Sequence, residues 1–118
     1  MRYVLLATLI LAAIVWTDLH EPLTGITPAV RATDDAIDRL VADLTAGDPA
    51  AAREQVTRIR HNWRRMELGL SLLADKSTRR RFEELVERID AGLAAGETGS
   101  LAPDAAELRE VWYEMLSP

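Results

Sequence analysis

The feature that most constrains the fold is an internal repeat: residues 33–67 align with residues 82–116 at a fixed offset, without gaps. The identical pairs are Arg39/Arg88, Ala42/Ala91, Leu44/Leu93, Ala46/Ala95, Gly47/Gly96, Arg60/Arg109, Trp63/Trp112 and Met66/Met115. The pattern predicts a repeated unit of a helix, a glycine–acidic turn and a second helix that carries a tryptophan and a methionine. Two such antiparallel hairpins, packed with approximate two-fold symmetry, would form an all-α four-helix body.

Apolar residues at helical spacing define the first hairpin. Thr27 followed by Pro28 is a favourable N-cap and first-turn pair, so a helix should begin there. Gly47 predicts the end of this helix, and Asp48 with Pro49 predicts the start of the next one. The apolar stripes are Val30, Ile37, Leu40, Val41 and Leu44 in the first helix, and Ala52, Val56, Ile59, Trp63, Met66, Leu70 and Leu73 in the second.

The second hairpin follows the same rules. We expect Ser77 to cap a third helix that ends at Gly96, and residues 97–100 to form a turn. A fourth helix should begin near Leu101, with Pro103 tolerated in its first turn. The expected buried residues of this hairpin are Phe82, Leu85, Val86, Ile89, Leu93, Ala105, Leu108, Trp112 and Met115.

Ahead of the repeat lies an apolar segment, VLLATLILAAIVW, whose only polar residue is a threonine. A helix that is apolar on all sides has no face for water, which is typical of a membrane segment. Arg2 precedes the segment and acidic residues follow it, which predicts an N-terminus inside and a body outside. Tyr3 and Trp16 bracket the segment, as aromatic rings do at membrane interfaces. The chain therefore divides into an N-terminal anchor or signal helix at 1–19, a linker at 20–27 and a helical domain at 28–118.

The length of the apolar segment leaves three alternatives. Residues 3–17 are fewer than the ~20 residues that span a typical bilayer core. They fit the ~7–15-residue apolar region of a signal peptide better, but no small-x-small cleavage site follows Ala13. We favour an uncleaved short anchor over a cleaved signal peptide or a buried core helix, because the apolar side chains do not keep to one face.

With these motifs, the chain resembles a family of short bacterial proteins that is catalogued only as a domain of unknown function. The resemblance covers nearly the whole length and rests on VLLATLILAAIVW, LVADLTAGD, VTRIRHNW and LREVW. It implies membrane association or export and no known activity. Members tend to carry a histidine and an acidic residue after the long helix. Here LADKSTRR offers Asp75 but no histidine, so no site residue is carried over.

Residue types that support catalysis or metal binding are scarce. There is no cysteine, which excludes disulfides and thiolate metal sites. Neither His61 nor His20 has a glutamate three residues before it, so the Glu-x-x-His motif of di-iron bundles is absent. No serine lies in a nucleophile elbow, Ser77 and Ser100 are accounted for as helix caps, and no glycine-rich phosphate loop occurs. We predict a non-enzymatic protein without a cofactor or a metal.

The charge pattern argues against nucleic acid as a partner, because the formal net charge is −5 and is spread along the chain. Basic side chains concentrate at Arg58, Arg60, Arg64, Arg65, Arg79, Arg80 and Arg81. One interpretation is contact with anionic lipid headgroups, phosphate or an acidic partner. We favour a solvated face that is salt-bridged to nearby acidic residues, because the two signs interleave. The expected acidic partners are Glu54, Glu67, Glu83 and Glu84.

Aromatic residues in the second helices of the two units give two hypotheses. Trp63 and Trp112 occupy equivalent positions on the apolar stripes, which favours core residues over ligand-stacking ones. Tyr113 and Leu116 fall partly off the last stripe. Together with Trp112 they are a candidate patch for a partner helix.

These observations predict a non-catalytic, membrane-anchored helical module on the extracytoplasmic side, with a protein-interaction or scaffold role. Its partners would be the membrane, through the N-terminal helix, and another envelope or membrane protein. The alternative is a soluble or secreted protein that buries the N-terminal helix and binds a small apolar ligand. Secretion after signal cleavage is the alternative localisation. A small hydrolase is the least favoured class, because nothing indicates a convergence of acidic groups.

The repeat generates a stability prediction. Trp63→Ala and Trp112→Ala should each lower the free energy of unfolding by about 3–5 kcal/mol, because a core position loses apolar burial and gains a cavity. Thermal and denaturant unfolding of the two variants measures this loss. Near-neutral melting shifts for both variants would contradict a symmetric core.

Overall fold

A computed structural model describes residues 28–116 of the chain, and this part is helical with no strand. The all-α prediction is therefore confirmed for the described residues. The predicted N-terminal helix, the linker and the Thr27 cap lie outside them. In chain order the elements are α1 at 28–45, α2 at Pro49–Leu73, α3 at Lys76–Ala94, a 3-10 turn at Gly99–Leu101 and α4 at Ala102–Leu116.

The turn between α1 and α2 is built by the glycine–acidic pair. Gly47 has a φ of 71°, a left-handed conformation that residues with a Cβ rarely adopt. Its N–H donates to the Leu44 carbonyl at 3.2 Å, and the Asp48 N–H donates to the Asp43 carbonyl at 2.9 Å. This pair of bonds is a Schellman motif, which satisfies carbonyls that the end of a helix leaves without partners. The predicted end of the first helix is confirmed.

Asp48 also starts α2. Its carboxylate accepts a hydrogen bond from the Ala51 N–H at 3.1 Å, and Pro49 is the first helical residue. The Asp48 side chain thus accepts from a backbone N–H that has no acceptor within the first turn of the helix. Pro49 has no backbone N–H, so it leaves no donor unpaired. The predicted start of α2 is confirmed.

The same turn recurs after α3. Gly96 has a φ of 80°, and its N–H donates to the Leu93 carbonyl at 3.0 Å. The Glu97 N–H donates to the Gly92 carbonyl at 2.9 Å. Hydrogen bonds and backbone conformation therefore match those of the first turn, residue for residue, at the offset that relates the two sequence units.

Two predicted helix caps are wrong. The N-cap of α3 is Asp75, whose side chain makes no capping hydrogen bond, and Ser77 is already the second residue of the helix. Only Ala74 and Asp75 separate α2 from α3, so the third helix begins two residues earlier than a serine cap would allow. Ser100 lies inside the 3-10 turn rather than at its start. Each serine is helical, whereas an N-cap residue needs an extended backbone.

Most of the predicted core is confirmed, with two groups of differences. Val30 and Val41 are partly buried rather than fully buried, and the side chain of Leu73 lies outside the described part. The core also contains residues that apolar spacing does not predict. These are Ala29, Thr33, Ala36, Gln55, Asn62, Leu101 and Val111.

Burial follows the sequence repeat closely. Every buried residue of 82–116 has a buried counterpart at the aligned position of 33–67, including Val111 with Asn62 and Phe82 with Thr33. Gln55 is buried, whereas its counterpart Asp104 is half-buried. Apart from Gln55, the two segments therefore present the same set of positions to one shared core.

Two equivalent arginines connect the segments. Arg60 of α2 pairs with Asp90 of α3 at 3.0 Å, and Arg109 of α4 pairs with Asp38 of α1. Each arginine thus reaches from the second helix of its own segment to the first helix of the other. α3 packs most extensively against α4 and also against α2, while α2 and α4 touch only slightly. Such pairing places the four helices around one core.

Within residues 28–116, no helix combines the length and hydropathy needed to cross a membrane. The apolar segment at 4–16 lies outside that range.

The turn geometry predicts the cost of adding a Cβ. Gly47→Ala and Gly96→Ala should each lower the free energy of unfolding by about 1–2 kcal/mol, because a left-handed conformation strains an L-residue. No atom lies within 4 Å of either added Cβ, so the cost is conformational rather than steric. Denaturant unfolding measures it. Gly99, which also faces open space but has no positive φ, is the control, and Gly99→Ala should change stability by less than about 0.5 kcal/mol. Equal losses at all three positions would contradict the assignment.

Candidate functional site

The centre of the bundle is an aromatic cluster. Phe82 stacks on Trp63 with ring centroids 4.4 Å apart and an interplanar angle of 14°. Phe82 also contacts Trp112, with ring centroids 5.9 Å apart and an interplanar angle of 44°. Trp63 Nε1 donates a hydrogen bond to Glu83 Oε1 at 3.0 Å. Both tryptophans are buried, so their assignment to the core is confirmed. Such a packed cluster leaves no room for a ligand between the rings.

The burial of Trp112 changes the predicted partner patch. Trp112 is 0 % exposed, so it cannot contact a partner directly. Tyr113 and Leu116 are 48 % and 42 % exposed, respectively. The accessible part of the patch is therefore Tyr113 and Leu116, on the side of α4 that carries Arg109.

The arginine beside this patch is held by α1. Hydrogen bonding and charge attraction from Asp38 raise the pKa of Arg109 above its ordinary value, and Tyr113 adds a smaller contribution. Arg109 therefore stays cationic, and its pair with Asp38 fixes the side of α4 that faces α1. Tyr113 and Leu116 lie one and two turns further along α4, next to the start of α1, because the two helices run in opposite directions.

A second exposed apolar pair lies on α2. Leu68 and Leu72 are 83 % and 85 % exposed and are four residues apart, so they share one helix face. Met66 and Leu70, which are buried, mark the core side of the same turns. The leucines point away from the core. These leucines are not among the residues predicted from the sequence, although their position opposite the α2 stripe is a signal that helical periodicity alone contains.

Both exposed pairs lie at the same end of the bundle. The two-residue connection places the end of α2 beside the start of α3, and the contact between Phe82 and Trp112 places the start of α3 beside the end of α4. The tight turn at Gly47 brings α1 back along α2, so residue 28 is about level with residue 66. At this end the chain continues into the N-terminal segment. The opposite end carries the two glycine turns, and no large hydrophobic residue is exposed there within the described part.

The arginine concentration is only partly neutralised. Arg58 pairs with Glu54 at 3.3 Å, as the sequence predicts, whereas Arg60 pairs with Asp90 and Arg81 with Glu107. The hydrogen bond from Arg81 to Glu107 raises the pKa of the arginine. Within the described part, no carboxylate lies within 4 Å of the remaining basic groups of this region. These are Arg64, Arg65, Lys76, Arg79 and Arg80.

Most of the predicted acidic partners are therefore wrong, because the packing of the helices determines which carboxylates lie close to the arginines. Glu83 accepts from the Trp63 indole instead of an arginine. Glu67 and Glu84 form no ion pair with the residues described here. Pairs between helices replace the pairs that spacing along one helix would favour, because the packed helices bring other carboxylates closer.

A groove of about 300 Å³ runs between α2 and α3, beside the aromatic cluster. Its floor is apolar, with Trp63, Phe82 and Val86, and both basic and acidic side chains form its rim. The rim carboxylates do not meet: in the part of the chain that is described, no three His, Cys, Asp or Glu side chains are grouped so that they could hold a metal ion. His61 is exposed on the outer face of α2. The groove offers shape and mixed charge, but no set of ligands or nucleophile–base pair.

The predicted membrane-anchor residues Arg2, Tyr3 and Trp16 lie outside the described residues. Comparison with known proteins adds no assignment: no family model matches the chain, and searches of the curated proteins and of the solved structures find no match.

Proposed function

We propose that this chain is a non-catalytic helical module, anchored in a membrane by its N-terminal segment, whose body on the extracytoplasmic side binds another envelope or membrane protein. The anchor is the apolar segment at residues 4–16, with Arg2, Tyr3 and Trp16 at its edges. The family resemblance, to short bacterial proteins with an N-terminal apolar segment, belongs to the same proposal.

The observation that carries the proposal is the asymmetry of the bundle. The large hydrophobic side chains that are exposed in the described part are Leu68, Leu72, Tyr113 and Leu116. All of them lie at the end of the body that receives the N-terminal segment. Exposed apolar groups gathered at one end favour a role at an interface, since scattered ones would need no explanation.

Tyr113 and Leu116 are the proposed contact with a protein partner. They lie beside the start of α1, so a partner that spans the same membrane could reach them from the anchor side. A tyrosine and a leucine on a rigid helix offer apolar area at a low entropic cost of binding, which is common in protein interfaces.

The alternative function uses the same end of the body. If residues 3–17 folded back as a core helix, they would cover exposed leucines that otherwise face water. A soluble protein of this kind could bind a small apolar ligand in the groove beside Trp63. We rank this proposal second because the rim of the groove is charged.

We also infer that the body arose by duplication of one helical hairpin. Support comes from the two matching Schellman turns, the repeated burial pattern and the equivalent arginines Arg60 and Arg109. Each arginine pairs with an aspartate of the other segment, Asp90 and Asp38 respectively, and these aspartates are not at aligned positions. These agreements involve hydrogen bonds and ion pairs as well as apolar spacing, so a shared helical period does not account for them.

The duplication makes a prediction about a missing hydrogen bond. Trp63 Nε1 donates to Glu83, but the equivalent indole nitrogen of Trp112 is buried without a partner in the described part. The counterpart of Glu83 is Asp34, which is one methylene shorter. Asp34→Glu should therefore supply an acceptor and raise the free energy of unfolding by about 0.5–1.5 kcal/mol.

Denaturant unfolding of Asp34→Glu checks this gain, and Asp35→Glu is the matched control on the exposed neighbour. The gain should disappear in a Trp112→Phe background, where no indole donor is left. A similar gain in stability for Asp35→Glu, or a gain for Asp34→Glu that persists in the Trp112→Phe background, would contradict this assignment. The longer side chain would then stabilise the fold without a hydrogen bond to the indole.

Fractionation of cells that express the full chain with a C-terminal tag tests the anchor. We expect protein of intact mass in the membrane pellet, with a body that protease digests from outside. Ile10→Arg should shift the chain to the soluble fraction, since an arginine at the centre of a short apolar helix opposes insertion by about 2.5–3.5 kcal/mol. Wild-type chain in the cytosolic fraction would overturn the anchor and favour the soluble alternative.

The partner surface is tested in the same cells. A photoreactive residue at position 113 should give a discrete cross-linked product in the membrane fraction. The same residue at Glu54, which is exposed near the opposite end of α2, should not. Equal cross-linking at both positions would indicate collisions rather than a specific partner.

A further inference from the structure

Leu68 and Leu72 belong to a larger surface that combines apolar and basic side chains. Both leucines lie on the outer face of α2, and Arg65 precedes Leu68 on that face by one turn. Arg64 lies between the leucines and α3, since it lines the groove that separates the two helices. Lys76 and Arg80 follow at the start of α3 and line a depression there together with Arg81 and one acidic residue, Glu84. We call the set formed by Arg64, Arg65, Leu68, Leu72, Lys76, Arg79 and Arg80 the α2–α3 corner.

The charge of this corner opposes that of the chain. Residues 61–81 contain six basic side chains against two acidic ones, a net charge of +4 in a chain whose net charge is −5. Arg81 forms an ion pair with Glu107. The basic members of the corner, in contrast, have no carboxylate within 4 Å among the described residues. Arg64, Arg65, Lys76 and Arg80 are exposed, so their charge is available to an external anionic surface, whereas Arg79 is half-buried.

Position adds a second argument. If residues 4–16 are held in a bilayer, residues 17–27 can span at most roughly 40 Å when extended. Residue 28 enters the bundle at the level of Met66, and the α2–α3 corner lies at that end and beyond it. The corner therefore stays close to the membrane. A tether of this length gives a high effective concentration, so even a weak contact becomes occupied.

We propose that the α2–α3 corner rests on anionic lipid, with Leu68 and Leu72 at the boundary between headgroups and acyl chains and the basic side chains on lipid phosphates. Basic residues around an apolar helix face are the composition of interfacial helices. This inference rests on the proposed membrane anchor, but it concerns a different surface from the protein contact at Tyr113 and Leu116.

A lipid surface fits the corner better than a folded partner protein. Within residues 28–116, the two leucines are far more exposed than the other large apolar side chains, and they line a convex helix face rather than a groove. A convex face with two leucines offers little shape complementarity to a protein, whereas the boundary region of a bilayer adapts to side chains of any shape. Flexible arginine and lysine side chains can likewise snorkel towards phosphates.

The absence of cysteine makes a direct test possible, because a single introduced cysteine is the only thiol. Ser71→Cys places an environment-sensitive fluorophore (NBD) between Leu68 and Leu72 in sequence without removing either leucine. Ala50→Cys, exposed at the opposite end of the same helix, is the matched control. The full chain is reconstituted into phosphatidylcholine vesicles with or without phosphatidylglycerol, and quenching by aqueous acrylamide is measured.

We expect quenching at position 71 to fall by about three-fold or more relative to position 50 in the vesicles with phosphatidylglycerol. The difference should shrink at 1 M salt, where the screening length is about 3 Å. Two further variants separate the contributions. Leu68→Ser with Leu72→Ser, and Arg64→Gln with Arg80→Gln, should each restore quenching at position 71, and both pairs are exposed, so the helical fold should persist in circular dichroism.

Two other outcomes overturn the inference, and a third separates it from the anchor. If the chain floats with the vesicles at high salt but positions 50 and 71 are quenched equally, the anchor stands and the lipid contact fails. If protection of position 71 from quenching does not depend on phosphatidylglycerol and increases with the protein-to-lipid ratio, a second copy of the chain covers the corner. If the chain leaves the vesicles at high salt, the anchor fails, and protection at position 71 at low salt would then support the lipid contact alone.

Discussion

The bundle depends on the contact of one phenylalanine with two tryptophans. Phe82, at the start of α3, stacks on Trp63 of α2 and also reaches Trp112 of α4. Three helices are thereby fixed to one another at a single level, and aromatic pairs of this kind add stability beyond the area they bury. The hydrogen bond from Trp63 to Glu83 holds the first indole in place. The register of α2, α3 and α4, and hence the end at which the exposed leucines lie, follows from this cluster.

The parts of the fold that sequence could predict are those set by local chemistry. Gly47 and Gly96 end helices because only glycine adopts the left-handed conformation easily, and Asp48 begins one because its carboxylate meets a backbone donor three residues on. Ser77 failed as a cap because the two-residue connection, set by the packing of α2 on α3, started the helix earlier. Local pattern contains no information about that packing.

Most ion pairs and buried polar residues could not be predicted from the sequence for the same reason, since they depend on how the helices pack. Spacing along one helix predicted the pair of Arg58 with Glu54, but it could not predict that Arg109 would reach Asp38 on α1. Thr33 is buried because its hydroxyl donates to the Ala29 carbonyl at 2.8 Å within its own helix, which satisfies the polar group without a partner across the core. For the candidate site, helical periodicity is enough to predict that Leu68 and Leu72 are exposed. That they lie at the same end of the bundle as Tyr113 follows only from the order and packing of the helices.

The proposed duplication also explains where the two halves differ. A position close to an approximate two-fold axis meets its own counterpart, so two large side chains cannot both occupy it. Phe82 fills the space between the tryptophans, and its counterpart is the much smaller Thr33. Under the proposed duplication, one ring would serve both halves, and a threonine at the equivalent position would leave room for it. The same proposed divergence would account for the Trp112 indole, which has no hydrogen-bond partner among residues 28–116, since Asp34 is shorter than Glu83. Under the proposed duplication, the halves differ at Phe82 and Thr33, inside the core, and agree at Gly47 and Gly96, where local hydrogen bonds set the turns.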